Sequence, residues 1–201
     1  MERVCILLRH GMTKGNLEKR YVGAGTDEEI LYEERERAVR MREPLAGMLA
    51  EGYTVFAGPL KRTVQTAELI AGEKKINLIE KLKETDFGGF ENKTYAELCH
   101  DGLFRSWIES RGMECPEGTE DRRSLEERSL AGFREALAKA EGDALVVCHG
   151  GNIMAVMSGI FGGDFYDYSV PCLDGYIIRF RKDDEGISYG TFDRITERVS
   201  A

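Results

Sequence analysis

The chain has 201 residues, of which 42% are hydrophobic and 32% charged, and 36 Asp and Glu against 28 Lys and Arg give a formal net charge of −8. A chain of this size buries about 70% of its unfolded surface in one domain, so it needs no disulfide or metal staple, and its composition excludes a collagen-like, coiled-coil or largely disordered protein. The acidic excess speaks against a nucleic-acid partner, and the lack of a polybasic segment against a membrane surface; a small anion gathered by a few focused Arg residues fits.

The first apolar run, Val4–Leu8, ends in Arg9-His10-Gly11. It is too short for a signal peptide or a membrane span. Glu33–Glu51 follows with helical spacing, and Pro44 predicts a kink or break inside it. Tyr53–Ala57 is a second apolar run, ending in Gly58-Pro59, and Arg62–Ala71 is a helix stopped by Gly72. The stretch 76–116 has weaker periodicity. It carries Phe87, Phe90, Tyr95, Phe104 and Trp107, which predicts a packed cap over one end of a sheet. Leu125–Glu141 is amphipathic. Ala144–Cys148 is the third apolar run and ends in His149-Gly150-Gly151, with a short helix over Asn152–Ile160. Tyr176–Phe180 and Ile187–Phe192 flank a polar Asp183–Gly186 turn and read as a hairpin at a sheet edge.

Short runs rich in Val, Ile and Leu suit strands buried on both faces of a parallel sheet, and their alternation with helices predicts an α/β layered fold. Five widely spaced Cys residues with no C-x-x-C pair read as reduced thiols of a cytoplasmic protein.

Only three His occur, and two of them, His10 and His149, directly follow a predicted buried strand and precede Gly. Ligands of open α/β sheets bind beyond the carboxyl ends of the strands, so these two imidazoles should meet on one rim, with Arg9 and Arg62 beside them. Arg forks match phosphate oxygens, and glycines let backbone amides approach. This points to phosphoryl binding with an imidazole nucleophile. His100 lies at a predicted helix end and reads as structural.

The same residues carry a resemblance. Leu7–Asn16 (LLRHGMTKGN) resembles the R-H-G-x-T-x-x-N signature of the histidine phosphatase superfamily, the phosphoglycerate-mutase-like proteins. Ala57–Ala67 (AGPLKRTVQTA), Leu82–Glu91 (LKETDFGGFE) and Val147–Gly151 (VCHGG) resemble its later blocks, in the right order. The resemblance implies a three-layer α/β/α sandwich around a mostly parallel sheet, with residues 1–201 as a single domain and about 76–116 as a cap-like insertion. It implies His10 as the nucleophile that becomes phosphohistidine. Arg9, Arg62, His149, Asn16 and Gly150 would hold the phosphoryl group, and Glu84 would be the general acid. No metal or cofactor is implied. Glu91 reads as a structural carboxylate.

Three departures touch these blocks: Met12 in place of a polar residue, Asn92 in place of the Gly after Glu91, and Gly58 where a small hydroxyl residue is common. Arg122-Arg123 is similar to a mutase pair but lacks the following proline run, so both read as helix-start residues. The blocks around Phe87–Tyr95 and Trp107–Glu120 resemble the α-ribazole phosphatase branch. The expected function is a metal-independent phosphomonoesterase for a small phosphorylated metabolite, α-ribazole 5′-phosphate among the candidates. A phosphoglycerate mutase and a non-catalytic phospho-ligand-binding relative are the alternatives, and a homo-oligomer stays open.

Overall fold

The computed structural model describes residues 1–196. Six strands form one sheet in the order β3-β2-β4-β1-β5-β6. Strands β1 (Glu2–Arg9), β4 (Ala144–Cys148), β2 (Thr54–Ala57) and β3 (Ile76–Leu78) run parallel; in the hairpin that follows, β5 (Gly175–Asp183) is antiparallel to β1, and β6 (Gly186–Arg194) is antiparallel to β5. The hairpin lies where expected, with β6 as the edge.

The apolar runs form central strands because both of their faces are covered. On one face Cys5, Leu7, Phe56, Val146 and Cys148 pack on α6 (Arg122–Lys139) and α7 (Gly150–Phe161) through Phe133, Leu137, Ile153 and Met157. On the other, Ile6, Leu8, Val55, Ala57, Leu145 and Val147 pack on α2 (Tyr32–Ala46) and α3 (Lys61–Ala71) through Ala38, Leu45, Ala67 and Ile70. Alternation along each strand therefore feeds two cores, and the fold is the expected three-layer sandwich.

The α2 region ends earlier than its periodicity predicts. The helix passes through Pro44 and stops at Ala46, where Gly47 N–H bonds the Glu43 carbonyl at 2.9 Å. Pro44 sits in the last turn, so the hydrogen bond it cannot make is lost where the helix is ending anyway. In the stretch read as a cap, residues 76–78 are the edge strand β3. Three residues with Leu78 largely exposed carry no period to read. The aromatic cluster begins beyond it: Phe90 and Phe104 are buried with Tyr21, Phe87 and Trp107 against them, joined by the one-turn helix α4 (Tyr95–Leu98) and by α5 (Gly102–Glu109).

Register places the chemistry. Arg9 pairs with Cys148 and Ala57 with Val147, so β1 and β4 end level and β2 ends one residue short of them. His10 N–H then bonds the Cys148 carbonyl at 3.0 Å, and Gly58 N–H bonds the Val147 carbonyl at 3.0 Å.

Candidate active site

His10 is the first residue past β1 and is buried. Its Nδ1 lies 2.7 Å from the Gly11 carbonyl oxygen. A carbonyl only accepts, so Nδ1 carries the proton and Nε2 keeps its lone pair. Burial, then the charges of Arg62 and Arg9, hold the His10 pKa well below the ordinary imidazole range. The ring is therefore neutral and nucleophilic near pH 7.

His149, the N-cap of α7, stands against it edge-to-face, with ring centroids 5.0 Å apart. Arg62 Nε donates to His149 Nδ1 at 3.2 Å, which puts the imidazole proton on Nε2. Burial, then Arg62, His10 and Arg9, keep this ring neutral as well. Arg62 is itself fully buried, and its other bonds run to the carbonyls of Thr26 at 2.7 Å and Gly23 at 3.0 Å. Helix α3, which carries Arg62, is capped from a distance: Asp27 Oδ1 accepts from Lys61 N–H at 2.7 Å.

Two buried donors in this group have no hydrogen-bond partner among the described residues, Arg9 Nε and His149 Nε2. Leaving a buried donor unmet costs about 1–3 kcal/mol. Arg9 Nη1 is anchored on the Val170 carbonyl at 2.7 Å. An oxyanion bound next to His10 Nε2 would satisfy both donors.

A cleft of about 260 Å³ opens beside them, and Arg9, His10, Asn16, Glu84 and Gly150 line it. Asn16 belongs to the one-turn helix α1 (Lys14–Leu17), where its Oδ1 accepts from the Thr13 N–H in a capping box. Gly150 lies against the Arg9 guanidinium, which a Cβ there would meet at 3.4 Å. Glu84 is nearly buried, and its Oε1 accepts from Thr85 N–H at 2.9 Å and Thr85 Oγ1 at 3.2 Å. Arg62 and His149 stand behind this wall, joined by the bond from Arg62 Nε to His149 Nδ1.

Residues outside the motifs shape the rest of the cleft. Tyr21, Phe87, Trp107, Phe165 and Tyr166 give it an aromatic wall, and Arg20, Arg111 and Arg122 lie among them. Each of these guanidiniums has its own carboxylate: Arg20 with Glu18, Arg111 with Asp164, Arg122 with Glu126. Arg123 and His100 are exposed. Glu91 is the structural carboxylate expected, accepting from the N–H groups of Gly23, Gly25 and Phe87 and from Thr26 Oγ1. It thereby fixes the loop whose carbonyls hold Arg62. Two departures have local reasons. Asn92 has φ 59°, a left-handed conformation that Asn tolerates nearly as Gly does. At Gly58 a Cβ would lie 2.5 Å from the Leu82 carbonyl oxygen, so a hydroxyl residue does not fit here.

The model of the histidine phosphatase superfamily (branch 1) matches residues 5–187. The chain belongs to this family. A bifunctional protein of Mycobacterium tuberculosis is 30% identical over 119 residues, 56% of this chain and 32% of that one. The probable 2-carboxy-D-arabinitol-1-phosphatase of Arabidopsis thaliana is 26% identical over 162 residues, 78% of this chain and 33% of that one. The chain thus spans about a third of the length of these relatives. Among solved structures, the α-ribazole phosphatase of Shigella flexneri superposes with a TM-score of 0.77 at 18% identity, covering 94% of this chain and 95% of that one. At that identity the likeness shows the fold alone. Among the described residues no helix is long and apolar enough to cross a membrane.

Proposed function

We propose that the protein is a metal-independent phosphomonoesterase that works through a phosphohistidine on His10. The observation that carries this is the pair of buried, unpartnered donors beside a neutral His10 whose proton is held on Nδ1. His10 Nε2 attacks phosphorus in line with the leaving alcohol. Arg9 Nε and His149 Nε2–H donate to the phosphoryl oxygens, Asn16 and the Gly150 backbone complete the cradle, and Arg62 supplies further positive charge through His149. Glu84 delivers a proton to the departing oxygen, then takes one from the water that cleaves the N–P bond.

The aromatic wall favours a small ester whose alcohol carries a ring. α-Ribazole 5′-phosphate is the member of that class to which the sequence blocks point. A mutase must also hold a substrate carboxylate in two orientations, and the three guanidiniums of the outer cleft are each engaged by a carboxylate of the protein, which supports hydrolysis. We read the chain as one domain with the aromatic segment as its cap, acting on a small metabolite in the cytoplasm; the five free thiols support that setting.

A panel of phosphomonoesters, with free phosphate and isomerised product both measured, tests this reading. The expected result is net phosphate release and weak activity on 3-phosphoglycerate. Rapid formation of 2-phosphoglycerate with catalytic 2,3-bisphosphoglycerate and little free phosphate would overturn it.

A further inference from the structure

Glu84 is carried by a loop, between a single turn at Glu80–Leu82 and another at Gly88–Phe90. A proton donor must sit within about 2.6–3.2 Å of the oxygen it serves, and a loop does not hold that tolerance unaided.

Two helices supply the hold. Arg128, in the second turn of α6, donates from Nη1 to the carbonyls of Lys81 and Lys83, both at 2.8 Å, and its Nη2 lies 3.5 Å from the Glu84 carbonyl. Its Nε and Nη2 also grip Glu120 at 2.8 and 2.6 Å. Glu120 returns to the same loop: its N–H bonds the Asp86 carbonyl at 2.8 Å, and its Oε2 accepts from Asp86 N–H at 3.3 Å. From α7, the fully buried Asn152 donates to the Lys83 carbonyl at 3.0 Å and to Ser129 Oγ at 2.9 Å. The Oδ1 of Asn152 accepts from His149 N–H at 3.3 Å.

We infer that Arg128 is a positioning residue for proton delivery: its guanidinium braces residues 81–84 so that Glu84 reaches the leaving oxygen, and Asn152 ties that brace to the phosphoryl-binding His149. The inference rests on the function proposed above. Arg128 does not line the cleft; it reaches the site through the loop that carries Glu84 and, as the weakest of several charges, through its field at His149. Its loss should therefore be felt where a proton is needed and not where it is dispensable.

Benzyl phosphate and p-nitrophenyl phosphate separate the two cases. Both carry a ring, but only the benzyl alkoxide needs a proton to leave. Arg128→Met should lower kcat for benzyl phosphate about 10- to 100-fold and change p-nitrophenyl phosphate by less than about threefold. In a Glu84→Gln background the same substitution should add less than about threefold on either ester, because the group it positions is gone. Arg128→Lys keeps a cation, yet its single head cannot span two carbonyls and a carboxylate, so it should show a smaller loss of the same selectivity. It carries the measurement where the Met variant does not fold. Equal losses on both esters, or a full additional loss in the Glu84→Gln background, would overturn the inference. A selective Glu84→Gln with unselective Arg128 variants refutes only this brace. Equal losses on both esters in Glu84→Gln refute the proton-donor role on which the brace stands, and a wild-type protein inert toward both refutes the proposed function itself.

Discussion

Gly151→Ala is the sharpest probe of the proton donor. Gly151 occupies the first turn of α7, where a Cβ would come 2.5 Å from Glu84 Oε1 and 3.1 Å from Thr85 Oγ1. A carbon and an oxygen tolerate little below about 3.1 Å, so the carboxylate oxygen must retreat by roughly 0.6 Å, which is about the full width of the window for proton transfer. Thr85, which holds that oxygen, must move with it. The expected cost is about 10- to 100-fold in kcat on benzyl phosphate, or about 1.4–2.7 kcal/mol, with little change on p-nitrophenyl phosphate. Stability should change little, because the gain of about 1 kcal/mol from replacing helical Gly by Ala opposes the crowding. The assay is steady-state release of phosphate from both esters, with thermal unfolding of each variant alongside. Full activity of Gly151→Ala on benzyl phosphate would refute the reasoning, because Glu84 could then not be delivering its proton from where it stands.

Two further outcomes follow from the buried group. Vanadate or inorganic phosphate should stabilise the fold by about 2.7 kcal/mol at a hundredfold excess over its Kd, raising Tm by roughly 5–10 °C, and His149→Ala should weaken that binding about tenfold to a hundredfold; an unchanged Tm in saturating vanadate would contradict the role of the unpartnered donors. His10 and His149 resist protonation in the fold but take protons freely in the unfolded chain, so their contribution is fully present above about pH 6.5 and is lost as the pH falls below it, by up to about 1.4 kcal/mol per pH unit for each ring. Chemical denaturation at pH 7.5 and 5.5 measures the difference, which His10→Ala should reduce by about half, and equal stability at both values would show that the rings charge without penalty.

The parts of the site legible in the sequence are those set by strand ends. Central parallel strands are apolar on both faces, so Val4–Leu8 and Ala144–Cys148 declare themselves, and the residue after each is placed on the rim by topology alone. Glu91 could be read as structural, and four N–H and hydroxyl partners bear this out. Arg62 was legible as a rim residue but not as one standing behind His149, because the Gly23 and Thr26 carbonyls that hold it leave no trace in side-chain pattern. Arg128 and Asn152 were silent for the same reason: their partners are backbone carbonyls far along the chain, and on a charged helix Arg128 looks like any solvated residue. Tyr21, Phe165 and Tyr166 reach the cleft from segments without periodicity, which only the assembled fold brings to one wall.

The central claim is that His10 accepts the phosphoryl group. Mixing the wild-type protein with a ³²P-labelled phosphomonoester and quenching in acid within the first turnover, followed by peptide mapping, tests it directly. The expected result is an acid-labile, alkali-stable label on the peptide containing His10, absent in His10→Ala. Label on a Ser or Cys, or turnover that persists in His10→Ala, would contradict it.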